Sequence, residues 1–282
     1  MLLEGFAPIV EAQRAGRAIP GFVAYNLETA QGIVTAAEQT GMPVLIQAGS
    51  SAFRHAGRRE LALLCLDLAR HSSAAIGVHL DHCRSLEEVD FCLEVGYTSV
   101  MIDGSHLPYE ENVALTAEVA GRAHDHGAWV EAELVGTAGD EDVSSAAIAT
   151  AMTDPALSRE FVAATGIDAL AVAIGNVHGF TPVEPRIDLA RLERIREMTR
   201  IPLVLHGASG LAPETLRACV QRGVAKVNVN TELRRAYLAA VSDALPEARA
   251  TADLVASLAA GRGAVADAAA AMVRLLGRLE HP

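Results

Sequence analysis

The sequence predicts an α/β protein built as a (β/α)8 TIM barrel with extra C-terminal helices, and three observations carry that expectation. Eight short β-rich runs recur along the chain, helical segments alternate with them, and the runs are almost continuously apolar. Such strands belong to a parallel sheet covered on its outer face by helices. Eight such units within roughly 250 residues match the size and count of this barrel. The alternative, a doubly wound open sheet, lacks its usual mark, a GxGxxG turn after the first strand. No linker interrupts the chain, so residues 1–282 are expected to form one domain.

In order, the strands are expected at IPGFVAYN (19–26), MPVLIQAG (42–49), AAIGVHLDH (74–82), YTSVMIDGS (97–105), WVEAELV (129–135), DALAVAIGN (168–176), PLVLHGAS (202–209) and KVNVNT (226–231). Between the third and fourth, SLEEVDFCLEVG (85–96) reads as a helix with Ser85 as N-cap ahead of Glu87 and Glu88. After the fourth, PYEENVALTAEVAGRAHDHG (108–127) carries apolar residues at helical spacing and a closing glycine. Beyond the eighth unit two terminal helices are expected near 251–258 and 264–278, parted by a break at GRG (261–263).

Composition narrows the function classes. A net charge of −12 and a pI near 5.3 argue against nucleic-acid or anionic-membrane partners, so any phosphate must be held locally. No uninterrupted apolar stretch approaches the ~20 residues of a membrane span, and MLLEGFAPIVEAQRAGR lacks a signal-type apolar core, which predicts a cytoplasmic protein. Cys65, Cys83, Cys92 and Cys219 show no CxxC spacing and read as reduced structural thiols. Of the 23 basic residues only Lys226 is a lysine, so Schiff-base chemistry has one candidate.

In this barrel the active face is formed by the carboxyl ends of the strands. Those ends carry Asn26, Gln47, Ser50, Asp81, His82, Asp103, Glu133, Asn176, His178, His206, Ser209, Asn228, Asn230 and Thr231. Three imidazoles from different strands, His82, His178 and His206, suit a catalytic zinc with an open coordination position. His79 sits three residues deeper and is expected to pack or to orient a ligand, and Cys83 should point to the other side of the chain. Asp81, beside the proposed ligand, is placed for general acid–base work; Glu133 and Asp103 are candidates for support of the metal or for alternate ligation. Gly207 and Ser209 after the seventh strand, Asn230 and Thr231 opening a helix after the eighth, and Gly179 in NVHGF offer backbone N–H groups and hydroxyls where barrels often seat a phosphate. The residues alone thus describe a zinc barrel for a small phosphorylated substrate, with the reaction open.

Together, HLDH (79–82), VMIDGS (100–105), VEAEL (130–134), DALAVAIGNVHG (168–179), PLVLHGASGL (202–211) and KVNVNTEL (226–233) resemble the class II, zinc-dependent ketose-bisphosphate aldolases, over about residues 5 to 245. The HGASG form, and the lack of a lysine after NVHG, are more similar to the tagatose-bisphosphate branch. The resemblance implies reversible aldol cleavage of a ketose 1,6-bisphosphate to dihydroxyacetone phosphate and an aldehyde, without a lysine imine. It implies Zn²⁺ on His82, His178 and His206, proton exchange at Asp81, enediolate contact by Asn228, and enediolate proton transfer by Glu141. It further implies a phosphate cradle of Gly179, Gly207, Ser209, Asn230 and Thr231; Asn26 and Ser50, from the polar ends of the first two expected strands, are further candidates for substrate contact. A monovalent cation near the phosphate and a dimeric or tetrameric homo-oligomer are the remaining expectations, with Arg262 corresponding to an arginine that reaches a neighbouring subunit's substrate.

Three segments depart from the family pattern: Val135 and Ala138 in VGTAGDED (135–142), Glu184 with two prolines in FTPVEPRID (180–188), and Cys83 where relatives often have His. The first two motivate an alternative substrate, such as a deoxy-gluconate phosphate. A sugar-phosphate-binding subunit without catalysis is a second alternative, and a Schiff-base aldolase using Lys226 a third. Lys226 is expected at the start of the last strand, far from the rim.

Overall fold

The computed structural model describes residues 1–138, 151–179, 181 and 184–277. Each expected apolar run forms a strand: β1 (Ile19–Val23), β2 (Val44–Gly49), β3 (Ile76–Cys83), β4 (Ser99–Ile102), β5 (Trp129–Glu133), β6 (Ala169–Ala171), β7 (Leu203–Leu205) and β8 (Val224–Val229). They close in sequence order, every neighbouring pair parallel, with β8 returning to β1 through Ile19↔Lys226 and Gly21↔Asn228. The strands are shorter than the apolar runs because the last residues of most runs leave the ladder to build the mouth.

Helices cover the outside: α1 (Ala7–Arg14) before β1, then α2 (Leu27–Thr40), α3 (Ser50–Ala56), α4 (Arg58–His71), α5 (Leu86–Val95), α6 (Tyr109–Asp125), α7 (Pro155–Thr165), α8 (Leu189–Thr199), α9 (Pro213–Gln221), α10 (Thr231–Thr251) and α11 (Leu254–Gly277). Ser85 caps α5 as expected, accepting from the Glu88 amide. The main core fills the space between strands and helices, where fully buried side chains such as Phe22, Ile33, Leu66 and Phe161 each contribute about 1.5–3 kcal/mol.

Inside the barrel the layers differ. The amino-terminal end is plugged by an apolar cluster of Ile9, Ile19, Leu45, Met101 and Trp129, with Phe6 packed against it. Towards the carboxyl end the inward positions turn polar: Gln47, His79, Asp81, Glu131, Glu133, Lys226 and Asn228 are all buried. This apolar floor leaves the polar layer in a pocket closed from below.

One expected feature is corrected. GRG does not break the last helix, because α11 runs unbroken through Gly261 and Gly263. A Cβ on Gly261 would lie 2.6 Å from the Tyr237 ring, so its glycine allows α10 to approach α11 closely. By length and mean composition α11 could cross a membrane, although Arg262, Asp267 and Arg274 interrupt it; here it packs along α2 and α10, with Val265, Ala269 and Val273 buried.

Candidate active site and metal centre

Successive strand residues point to opposite faces, so Asp81 and His82 should not share the mouth. They do because His82 adopts φ 43°, a left-handed conformation that histidine tolerates better than most residues, where β3 shifts register against β4. The irregularity works as a bulge that re-aims one side chain. Cys83 then faces outward, its Sγ near Ser85 and Glu88, as expected.

His82 thereby joins His178, after β6, and His206, after β7. One ligating nitrogen from each lies within 4.8 Å of the others, and the ring centroids stand 4.5 to 6.0 Å apart. His206 is held from behind: its Nε2 donates to Glu131 Oε1 at 2.6 Å, while Nδ1 is buried with no hydrogen-bond partner among the described residues. An imidazole anchored by a carboxylate through one nitrogen and bare at the other is prepared to ligate a metal. Burial, then the neighbouring His82 ring, hold His178 and His206 well below the ordinary 6.5, so both are neutral as ligands require.

Glu133 and Asp103 form a second group with His82, one candidate ligand atom of each again lying within 4.8 Å of the others. Glu133 Oε1 lies 3.8 Å from His82 Nδ1, and Oε2 is buried with no hydrogen-bond partner. Burial, with the Asp103 charge beside it, raises Glu133 well above the usual carboxyl range. Burial acts on Asp103 in the same direction but is outweighed by hydrogen bonds from Ser105 and Arg84, which bring that carboxyl to about 2. Asp103 is thus a charged partner of Arg84, while both carboxyls stand beside His82.

Asp81 sits at the centre of a hydrogen-bonded set. Its Oδ1 accepts from Gln47 Nε2 at 2.8 Å and from Asn228 Nδ2 at 3.1 Å. Asn228 Oδ1 in turn accepts from Gln47 and from Lys226 Nζ, at 3.0 and 2.7 Å. Lys226 is therefore not far from the rim. It stands inside β8 on the same face as Asn228, and its long stem carries the ammonium upward to Asn228 and to Glu131 Oε2, 2.8 Å away. His79 supports this layer as expected, bonded to Ser99 and stacked on Trp129.

Beside His178 a cavity is lined by Gly179, Gly207, Ser209, Asn228, Asn230 and Thr231, which brings the whole expected phosphate set together. Gly207 has φ 55°, and a Cβ there would meet the Val177 carbonyl at about 2.6 Å, so only glycine fits. Thr231 opens α10, and Asn230 pairs with the Tyr25 hydroxyl. The Ser209 hydroxyl donates to Glu232 at 2.6 Å, so it is already engaged within the chain.

Other expected residues stand elsewhere. Asn26 lies at the mouth, but its side chain caps α2 in a reciprocal box with Thr29. Arg262 lies on α11 against α2, bonded to Gln31, and its own chain does not bring it to the site. Glu184 caps α9 through the Ala212 amide and Thr215. Ala138 pairs with Val177 and accepts the His178 amide. Glu141 and the Ser50 side chain lie outside the described residues. Sequence reading missed Glu131, although its position two before Glu133 put it on the same inward face.

A family model described as fructose-bisphosphate aldolase class-II matches residues 8–281. Among solved structures, the chain is similar to the YdjI aldolase of Escherichia coli K12, with 32% identity, TM-score 0.87 and 98% of both chains covered. It is also similar to a putative fructose-1,6-bisphosphate aldolase of Coccidioides immitis, with 32% identity, TM-score 0.85, and 96% of this chain and 95% of that one covered. Fructose-bisphosphate aldolase of Campylobacter jejuni shares the fold at 20% identity and TM-score 0.84, over 98% of this chain and 95% of that one.

Proposed function

The chain belongs to the class II fructose-bisphosphate aldolase family, and we propose that it catalyses reversible zinc-dependent cleavage of a ketose 1,6-bisphosphate, of tagatose or fructose type, to dihydroxyacetone phosphate and an aldehyde. The observation that carries this reading is the adjacency of two subsites: His178 belongs both to the three-histidine group and to the wall of the glycine-, serine- and asparagine-lined cavity beside it. A ketose 1-phosphate seated there places its carbonyl beside the histidines. The bare, buried Nδ1 of His206 fits a resident zinc, and when bound zinc would act as a Lewis acid on the ketone, so no imine is needed.

The chain's own residues then divide the work. Asp81 takes the C4 hydroxyl proton as the C3–C4 bond breaks and returns it in synthesis. Gln47 and Asn228 both donate to its Oδ1, and we assign the substrate contact to Oδ2. Asn228 Nδ2 contacts the enediolate oxygen, and Glu141 moves the enediolate proton. Gly179, Gly207, Ser209, Asn230 and Thr231 hold the phosphate, with a monovalent cation nearby. Asn26 and Ser50 are further candidates for substrate or phosphate contact. Asp103 and Glu133 support the metal or hold it alternately. We read residues 1–282 as one domain of a cytoplasmic dimer or tetramer in which Arg262 serves a neighbouring subunit.

The test is formation of dihydroxyacetone phosphate from tagatose and fructose 1,6-bisphosphates by the purified protein. A kcat/KM of about 10⁴ M⁻¹s⁻¹ or more for either supports the reading. Release from neither redirects it to other phosphorylated keto sugars or to a binding role.

A further inference from the structure

We propose that Lys226 is a positioning residue whose ammonium fixes the direction of the Asn228 amide and, through Glu131, the ring of His206. The inference rests on the functional reading above, since it concerns how the residues of that reading are aligned.

An ammonium has three donors and no acceptor, and three acceptors surround this one: Asn228 Oδ1 at 2.7 Å, Glu131 Oε2 at 2.8 Å and His79 Nε2 at 3.5 Å. The site is dry, with Lys226 and Glu131 both fully buried. An amide's oxygen and nitrogen are nearly alike in shape, so its direction is set by its neighbours. Turning Asn228 over would press its NH₂ against the ammonium and its oxygen against Asp81 Oδ1, now 3.1 Å from Nδ2. Lys226, with Gln47 Nε2 donating to the same oxygen at 3.0 Å, thus holds Nδ2 on the side of Asp81 and the reaction. The same ammonium holds Glu131, whose other oxygen accepts from His206 Nε2 and so turns Nδ1 towards the three-histidine centre. One buried cation aligns a ligand on one side and the polar amide on the other. Buried ion pairs are weak contributors to stability, so alignment gives this pair a role that stability alone does not.

A simpler role would be neutralisation of Glu131, and a paired substitution separates the two. In E131Q/K226M the pair is neutral, and Asn228 Oδ1 keeps only the weaker, uncharged donor Gln47 Nε2 at 3.0 Å. At saturating zinc, with zinc content measured, kcat is expected to fall about tenfold to a hundredfold with KM within about twofold, less than the on the order of 10²–10³ lost with a whole donor. Adding Asn228→Ala should then cost less than it costs the wild-type enzyme. Wild-type kcat in E131Q/K226M, or losses that multiply, would overturn the proposal. If that protein does not fold, E131Q/K226L is read in its place. Should the wild type cleave neither bisphosphate, the functional reading fails, yet the amide lock is still decided by urea unfolding in the E131Q background. Non-additive effects of K226M and N228A support it, and additive ones overturn it.

Discussion

Asp81 and His82 are adjacent in the chain, yet both present their side chains to the barrel mouth, because His82 takes φ 43° where β3 slips against β4. The carboxylate we propose for acid–base work and an imidazole we propose as a metal ligand are thereby delivered by one strand end. Asparagine also tolerates this backbone conformation, so His82→Asn should leave the melting temperature of the metal-free protein within a few degrees of wild type. Its zinc affinity, by equilibrium dialysis, should fall by more than the roughly 10–100-fold typical of an outer-sphere change. Undiminished affinity would remove His82 from the ligand set.

Asp81→Ala separates chemistry from metal binding. Loss of a positioned acid–base group costs on the order of 10²–10⁴ in rate. We expect kcat for ketose-bisphosphate cleavage to drop in that range, with zinc content by atomic absorption unchanged. A variant retaining more than a tenth of wild-type kcat would assign proton transfer to another residue.

The barrel itself was legible because eight apolar runs can only be buried on both faces in a parallel sheet. The candidate ligands were legible because His82, His178 and His206 fall at the ends of three of those runs. What sequence could not show was geometry that breaks the strand period. The left-handed His82 is invisible to a pattern of alternation, and the reach of the Lys226 stem hid its contact with Asn228. GRG looked like a helix break because its glycines are poor helix formers, whereas Gly261 is required by the close approach of Tyr237.

Stability of the metal-free protein should depend on pH through its buried imidazoles. His79, His178 and His206 are held well below 6.5, first of all by burial. The unfolded chain binds more protons than the folded one once pH falls below 6.5, so their contribution is present above that value and is lost as pH falls towards their lowered folded values. Glu133, raised by burial, acts in the opposite sense from 4.5 upward, but as one group against three. The melting temperature of EDTA-treated protein should therefore fall from pH 7 to pH 5.5. A rise over that interval would mean the imidazoles are charged in the folded state.

Two glycines should respond oppositely to alanine. At Gly207 the positive φ and the Val177 carbonyl predict a loss of roughly 1–3 kcal/mol in urea unfolding and a raised KM, since the phosphate cavity is distorted. At Gly263, inside α11 with nothing within 4 Å of a built Cβ, alanine should stabilise by about 0.5–1 kcal/mol and leave kinetics unchanged. Equal responses would contradict the packing described for these positions.

The central claim is that the three-histidine centre holds a metal on which cleavage depends. The most direct measurement is the rate of ketose-bisphosphate cleavage by the protein as isolated, after EDTA with removal of the chelator, and after stoichiometric zinc is restored, with His206→Ala run in parallel. We predict loss with EDTA, recovery with zinc, and no recovery in the His206 variant. Activity that survives complete metal removal would contradict the account and direct attention to Lys226.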